Sequence, residues 1–108
     1  METAWVKPGA YANLIDLART WRQETLSQFD CIIIEAAVQE AEMSPQMIPD
    51  ELIAEDLQDL VTGRASGRRN DRERIAFVFR RLAIGDFAMA ILAYERALKE
   101  TVGTYLPR

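Results

Sequence analysis

The sequence predicts an α/β chain: a small parallel or mixed sheet between helical layers, closed by a long C-terminal helix. Three observations carry this. Short apolar runs without alternation recur at 10–15, 31–34 and 75–79, as expected of strands covered on both faces. Segments of helical character separate them, which favours α/β layering over a bundle or a sandwich. From Ile84 to Val102, apolar residues fall at three- and four-residue spacing, the mark of an amphipathic helix.

Taken in order, Pro8-Gly9 is a turn signal, and the run from Ala10 to Ile15 reads as a buried strand ending at Asp16. Residues 20–29 suit a short helix with Trp21, Leu26 and Phe29 inward. Asp30 leads into Cys31-Ile32-Ile33-Ile34, the strongest strand signal in the chain. Residues 35–42 are rich in Ala and Glu and favour helix, ended by Ser44-Pro45 and Pro49. Asp50 is placed to cap a helix carrying Ile53, Leu57, Leu60 and Val61, with Gly63 as its stop. Residues 63–71 then read as a flexible, basic loop before the third strand. Three strands make a small sheet with two open edges, which hints at missing neighbours.

At 108 residues and 49% hydrophobic composition the chain has the material for one core and not for two full domains. Histidine is absent, which removes the usual general base near neutral pH, the His-dependent nucleophile dyads and His-containing metal sites; no metal site is expected. The lone Cys31 reads as a small buried residue in a reducing compartment. No apolar run approaches the roughly 18 residues of a membrane span. The first residues lack a signal-peptide pattern, so the expectation is a cytoplasmic protein without membrane contact.

The net charge of −4 is unevenly distributed: residues 1–62 hold 3 Lys or Arg against 12 Asp or Glu, and residues 63–108 hold 10 against 5. Such a division suits contacts between the halves or with partner chains. The cluster Arg64, Arg68, Arg69, Arg72 and Arg74 has no interleaved aromatics and fits no nucleic-acid motif, so no nucleic-acid partner is expected and the cluster reads as a solvated loop. Glu35, Glu40 and Glu42 read as a solvated helix face, Glu51, Glu55, Asp56 and Asp59 as the wet side of the next helix, and Tyr11 and Trp21 as packing residues.

Residues 57–75, with Leu60-Val61-Thr62-Gly63-Arg64-Ala65-Ser66-Gly67-Arg68 followed by Asp71 and Ile75, resemble the signature near the C-terminus of the ornithine cyclodeaminase and mu-crystallin family. Leu82-Ala83-Ile84-Gly85-Asp86-Phe87-Ala88 and Tyr94-Glu95-Arg96-Ala97 are similar to that family's closing helix. Trp5-Val6-Lys7-Pro8-Gly9-Ala10 with Asn13, and Phe29-Asp30-Cys31-Ile32-Ile33-Ile34, resemble two of its late Rossmann strands. The likeness runs through nearly the whole chain in order.

The resemblance implies a partial Rossmann-like, three-layer unit in two stretches, about 1–48 from the end of an NAD(P)-binding region and about 49–108 a C-terminal helix-loop-strand-helix segment. It further implies an NAD(P)-dependent oxidoreductase or deaminase acting on an amino acid or cyclic imine, homodimeric in the family. The five glycines, at 9, 63, 67, 85 and 103, make no G-x-G-x-x-G, so the dinucleotide cradle is missing and the chain is expected to hold NAD or NADP weakly by itself. It looks like the C-terminal portion of such an enzyme, requiring a homo-oligomer or a complementing N-terminal chain. The alternative is a non-catalytic remnant that serves as an oligomerisation or interaction module.

Asp16 is the one acid near the position where the family keeps a proton donor and acceptor, though it falls slightly early when Asn13 is aligned; the competing reading is a solvated loop acid. Asn13, Ile15, Phe79 and Arg80 are the positions that the resemblance places beside the nicotinamide. Phe79-Arg80-Arg81 looks like the family's His-Arg-Gly variant with Phe for His and Arg for Gly, and an Arg in place of a Gly obstructs close cofactor approach. Asp86 resembles a recurring family position, and a first-turn helix acid stabilised by the dipole is its other reading.

Overall fold

β4 (Ile75–Val78), the last strand in the chain, lies between the first two. The computed structural model describes residues 1–80, 83–104 and 106. In it β1 (Tyr11–Leu14), β4, β2 (Cys31–Ile34) and β3 (Glu55–Asp56) form one sheet, in that order and all parallel. The register aligns Leu14 with Val78 and Val78 with Ile34, so the carboxyl ends of three strands finish level.

Alternation along the strands then divides the core in two. One face carries Leu14, Ile32, Ala76 and Val78, covered by Ala18, Trp21, Leu26, Phe29 and Ile48. Trp21 and Phe29 pack at 5.4 Å between ring centroids. The other face carries Cys31, Ile33 and Ile75, with Leu60 and Phe77 against them. β2 is buried at all four positions, which is why its sequence shows no alternation. The Cys31 thiol is buried as expected, and burial pushes its pKa up.

The inward residues expected of 20–29 are all buried, Leu26 on a 3-10 helix at Gln23–Gln28 and Trp21 and Phe29 on either side of it. The helix expected of 35–42 is α1 (Ala37–Ala41), and the closing helix is α3 (Ala83–Glu100), with Asp86 in its first turn. Arg81 and Leu82, part of the family-like motif, lie outside the described residues.

Four expectations are corrected. The helix from Asp50 is instead a 3-10 turn (Asp50–Leu52), the strand β3 and a five-residue α2 (Leu57–Val61). The Ala54 N–H bonds to the Ile32 carbonyl at 2.9 Å, capturing the chain as an edge strand. Asp56, not Asp50, is the cap, accepting the Asp59 N–H at 3.0 Å. Gly63 follows with φ +74°, the left-handed stop that the sequence suggests. Glu55 and Asp56 are therefore half-buried strand residues and not a wet helix face, Glu55 accepting the Gly67 N–H at 3.2 Å.

Second, the basic loop is solvated as expected at Arg64, Arg68, Arg69 and Arg72, but it is also bonded to the fold. Buried Glu73 accepts the Arg69 N–H at 2.7 Å and its guanidinium at 2.9 Å, and Arg68 donates to the Glu73 carbonyl at 2.7 Å. Third, Glu40 is fully buried, not solvated. Its carboxylate accepts the N–H groups of Met47 and Ile48 and pairs with Arg80, so its desolvation is offset by three donors. Fourth, Trp21 packs but Tyr11 is 57% exposed, because the described residues leave its part of the sheet face uncovered. α3 likewise buries no residue.

Glu40→Ala should cost about 3–5 kcal/mol, since it strands the nearly buried Arg80 charge and two N–H groups. Urea unfolding measures this, and a loss below about 1 kcal/mol would mean that Arg80 simply rehydrates. Hydrogen bonding from the Arg69 N–H, aided by its guanidinium, holds the Glu73 carboxyl below its ordinary range. Its stabilisation should be complete above the unfolded value, about 4.3, and disappear as pH falls through the lower folded value. Thermal melts of Glu73→Gln across that range should show a flatter acid limb than those of the parent chain.

Candidate functional site at the carboxyl rim of the sheet

In open parallel sheets ligands bind beyond the carboxyl ends of the strands, and three ends meet here. The Phe79 N–H bonds to the Leu14 carbonyl at 3.2 Å, which extends the β1–β4 pairing and sets Ile15 and Asp16 beside Phe79. On the other side the Arg80 N–H donates to a Glu35 carboxylate oxygen at 3.0 Å, joining the ends of β4 and β2. The rim therefore follows from register alone: one step past Leu14, Val78 and Ile34 come Ile15, Phe79 and Glu35.

The five residues that the sequence nominates do not form one cluster. Asn13 and Ile15 alternate with buried Leu14 and are exposed on the face of Phe77, whose ring lies 6.4 Å from that of Phe79. Asn13, Ile15 and Phe79 thus share the incompletely covered face. Arg80 turns to the opposite side, where its side chain, 12% exposed, pairs with Glu40.

Asp16 begins the turn after β1. Its carboxylate accepts the Thr20 N–H at 2.9 Å, and hydrogen bonding from Thr20, its side chain foremost, outweighs burial and holds the carboxyl below the usual range. A carboxylate so held is ionised at neutral pH, and its lowered pKa makes it a weaker base than a free one. The turn itself is unusual: Leu17 and Ala18 have φ +62° and +56°, and Ala18 is fully buried.

Sequence reasoning missed what lies behind this turn. A cavity of about 530 Å³ opens between residues 17–23 and 43–47, with Arg80 in its wall. Glu40 fixes Arg80 there, and the same carboxylate ties down Met47 in the opposite wall. No local pattern announces such a pair, since its members are forty residues apart. Among the described residues no group of three His, Cys, Asp or Glu is placed to hold a metal ion, and no helix is long and apolar enough to cross a membrane.

This geometry has known counterparts. Five chains of known structure match, among them the Δ1-pyrroline-2-carboxylate reductase of Thermococcus litoralis in complex with NADH and L-proline, at a TM-score of 0.70 and 28% identity. The match covers 98% of this chain and 36% of the reductase, so the chain spans about a third of that protein's length. No curated protein matches significantly. The family model for ornithine cyclodeaminase/mu-crystallin matches residues 1–101. With a Rossmann-like parallel sheet, a level carboxyl rim and a family match over nearly its whole length, the chain belongs to the ornithine cyclodeaminase/mu-crystallin family.

Proposed function

We propose that this chain supplies the C-terminal part of an NAD(P)-dependent oxidoreductase or deaminase acting on an amino acid or a cyclic imine. The observation that carries the reading is the alignment of the β1, β4 and β2 ends, with Asn13, Ile15 and Phe79 sharing an open face. The likeness to a reductase solved with NADH supports it. The residues present fit only one end of a dinucleotide. A flat ring can lie on the Asn13, Ile15 and Phe79 face, but no Gly-rich turn is available for a pyrophosphate. The cofactor supplies hydride chemistry when bound. The chain's own contribution is a surface for the ring, Asp16 as the acid at the end of β1 that must release the Thr20 N–H before it takes part in proton transfer, and Arg80 to steady the rim from behind. A separate Gly-rich region, on the same or another chain, completes the site.

A second reading rests on α3. Its apolar positions Ile84, Phe87, Ile91, Tyr94 and Leu98 are all exposed, as are Tyr11 and Ile15 on the sheet. A patch of this kind is suited to association, with a second copy or with a complementing N-terminal chain. In this reading the chain is a non-catalytic interaction module.

Titration of the chain with NADH or NADPH, followed by nucleotide fluorescence, should show no saturable binding. Stoichiometric saturation would overturn the need for a separate cradle. Sedimentation velocity should show oligomers, because the exposed α3 stripe and the half-covered sheet face bury apolar area only on association. A monodisperse monomer that melts cooperatively would count against the interaction reading.

A further inference from the structure

The cavity behind the rim is lined by Leu17, Arg19, Gln23, Ser44, Met47 and Arg80 among its wall residues, and its 530 Å³ lies in the range of small-molecule sites. Its charge is unbalanced. Glu40 is committed to Arg80 and to two backbone N–H groups. Arg19 has no ion pair or side-chain hydrogen bond among the described residues. Asp16, the acid closest to it in sequence, gives its carboxylate to Thr20. The wall therefore presents one guanidinium fixed by a buried acid and one with its donors unused. The Gln23 amide and the Ser44 hydroxyl likewise form no hydrogen bond among the described residues.

The backbone shapes the same wall. Two consecutive non-glycine residues, Leu17 and Ala18, hold left-handed conformations that L-residues adopt only where their surroundings enforce them. Burial of Ala18 and the bond from Thr20 to Asp16 supply that enforcement. The result is a turn that sets Leu17 and Arg19 on the cavity wall.

We propose that this cavity binds a small molecule carrying an oxyanion, a carboxylate or a phosphate. Arg19 and Arg80 take the anionic oxygens, Gln23 and Ser44 add hydrogen bonds, and Leu17 and Met47 cover an apolar body. Arginine is the side chain best shaped for this task, its planar fork matching two oxygens at once. The inference rests on the cavity and not on dinucleotide binding. A chain that binds the oxyanion but no NADH, or the reverse, separates the two readings.

The test is saturation-transfer NMR on the full chain with cyclopentanecarboxylate as ligand, cyclopentylmethanol as its neutral counterpart and inorganic phosphate as competitor. The carboxylate should bind saturably and the alcohol should not. Arg19→Gln should weaken binding about tenfold, and Arg19→Lys should retain part of it. Because Arg19 is exposed, the circular-dichroism melts of both variants should match the parent's. Phosphate that displaces the carboxylate names a phosphate-bearing ligand, and phosphate that fails to do so names a carboxylate; both uphold the oxyanion site. Equal binding of the alcohol, no saturable signal, or binding indifferent to Arg19→Gln would overturn it.

Discussion

The fold depends on the insertion of β4 between β1 and β2. Four residues, Ile75–Val78, use their backbone groups on both sides and send side chains into both apolar layers. Without them β1 and β2 are not neighbours, and each would leave unpaired N–H and carbonyl groups against an apolar layer. All the pairings are parallel, so no tight turn can make them, and the intervening segments must cross over the faces. Those crossings bring Trp21, Leu26 and Ile48 to one layer and Leu60 to the other. The same register makes the carboxyl ends level. The rim on which Ile15, Asp16, Phe79 and Glu35 meet is thus a consequence of core formation, not a separate feature.

The unequal charge of the two halves is used inside the molecule. Acidic side chains from the first half accept from groups of the second: Glu35 from the Arg80 N–H, Glu40 from the Arg80 guanidinium, Asp30 from the Arg74 N–H and Glu55 from the Gly67 N–H. Most of these are carboxylates receiving backbone donors, which ties loops to strand ends more strongly than a neutral bond would. Acids spent in this way are poor candidates for chemistry. Asp16 also accepts a backbone N–H, from Thr20, but that bond is local and the side chain is only half-buried.

The strands were legible because their cause is local composition. β1, β2 and β4 follow from uninterrupted apolar runs, each within about a residue of its observed limits. β3 was not legible: its two residues, Glu55 and Asp56, are a strand only because Ile33 and Ile34 offer an edge. Glu40 has the sequence context of a surface acid, and only a partner forty residues away makes it a core residue. The basic loop misled for the opposite reason. Its Arg residues are solvated as composition suggests, yet buried Glu73, four residues beyond Arg69, holds that one guanidinium and the Arg69 N–H. At the rim, the nominated residues were found on the expected strand ends, but which face each one takes depends on where alternation stops. Periodicity cannot resolve that at strand termini. The strained turn at Leu17 and Ala18 was invisible because nothing in those residue types favours a left-handed backbone.

Two features are incomplete in the same sense. The sheet face bearing Tyr11 and Ile15 is covered near β2 by Leu60 but open near β1, and α3 presents an apolar stripe without burying any residue. A helix of 18 residues has little stability of its own in water, and its amphipathic pattern is useful only against a partner surface. The chain spans about a third of the length of the reductase that it resembles. The cavity differs from both, because its walls come from residues 17–23, 43–47 and Arg80 alone and its organising ion pair is already satisfied. The proposed dinucleotide site draws on the uncovered sheet face, and the proposed association on that face and on α3. The proposed recognition of a small oxyanion draws only on residues 17–23, 43–47 and Arg80.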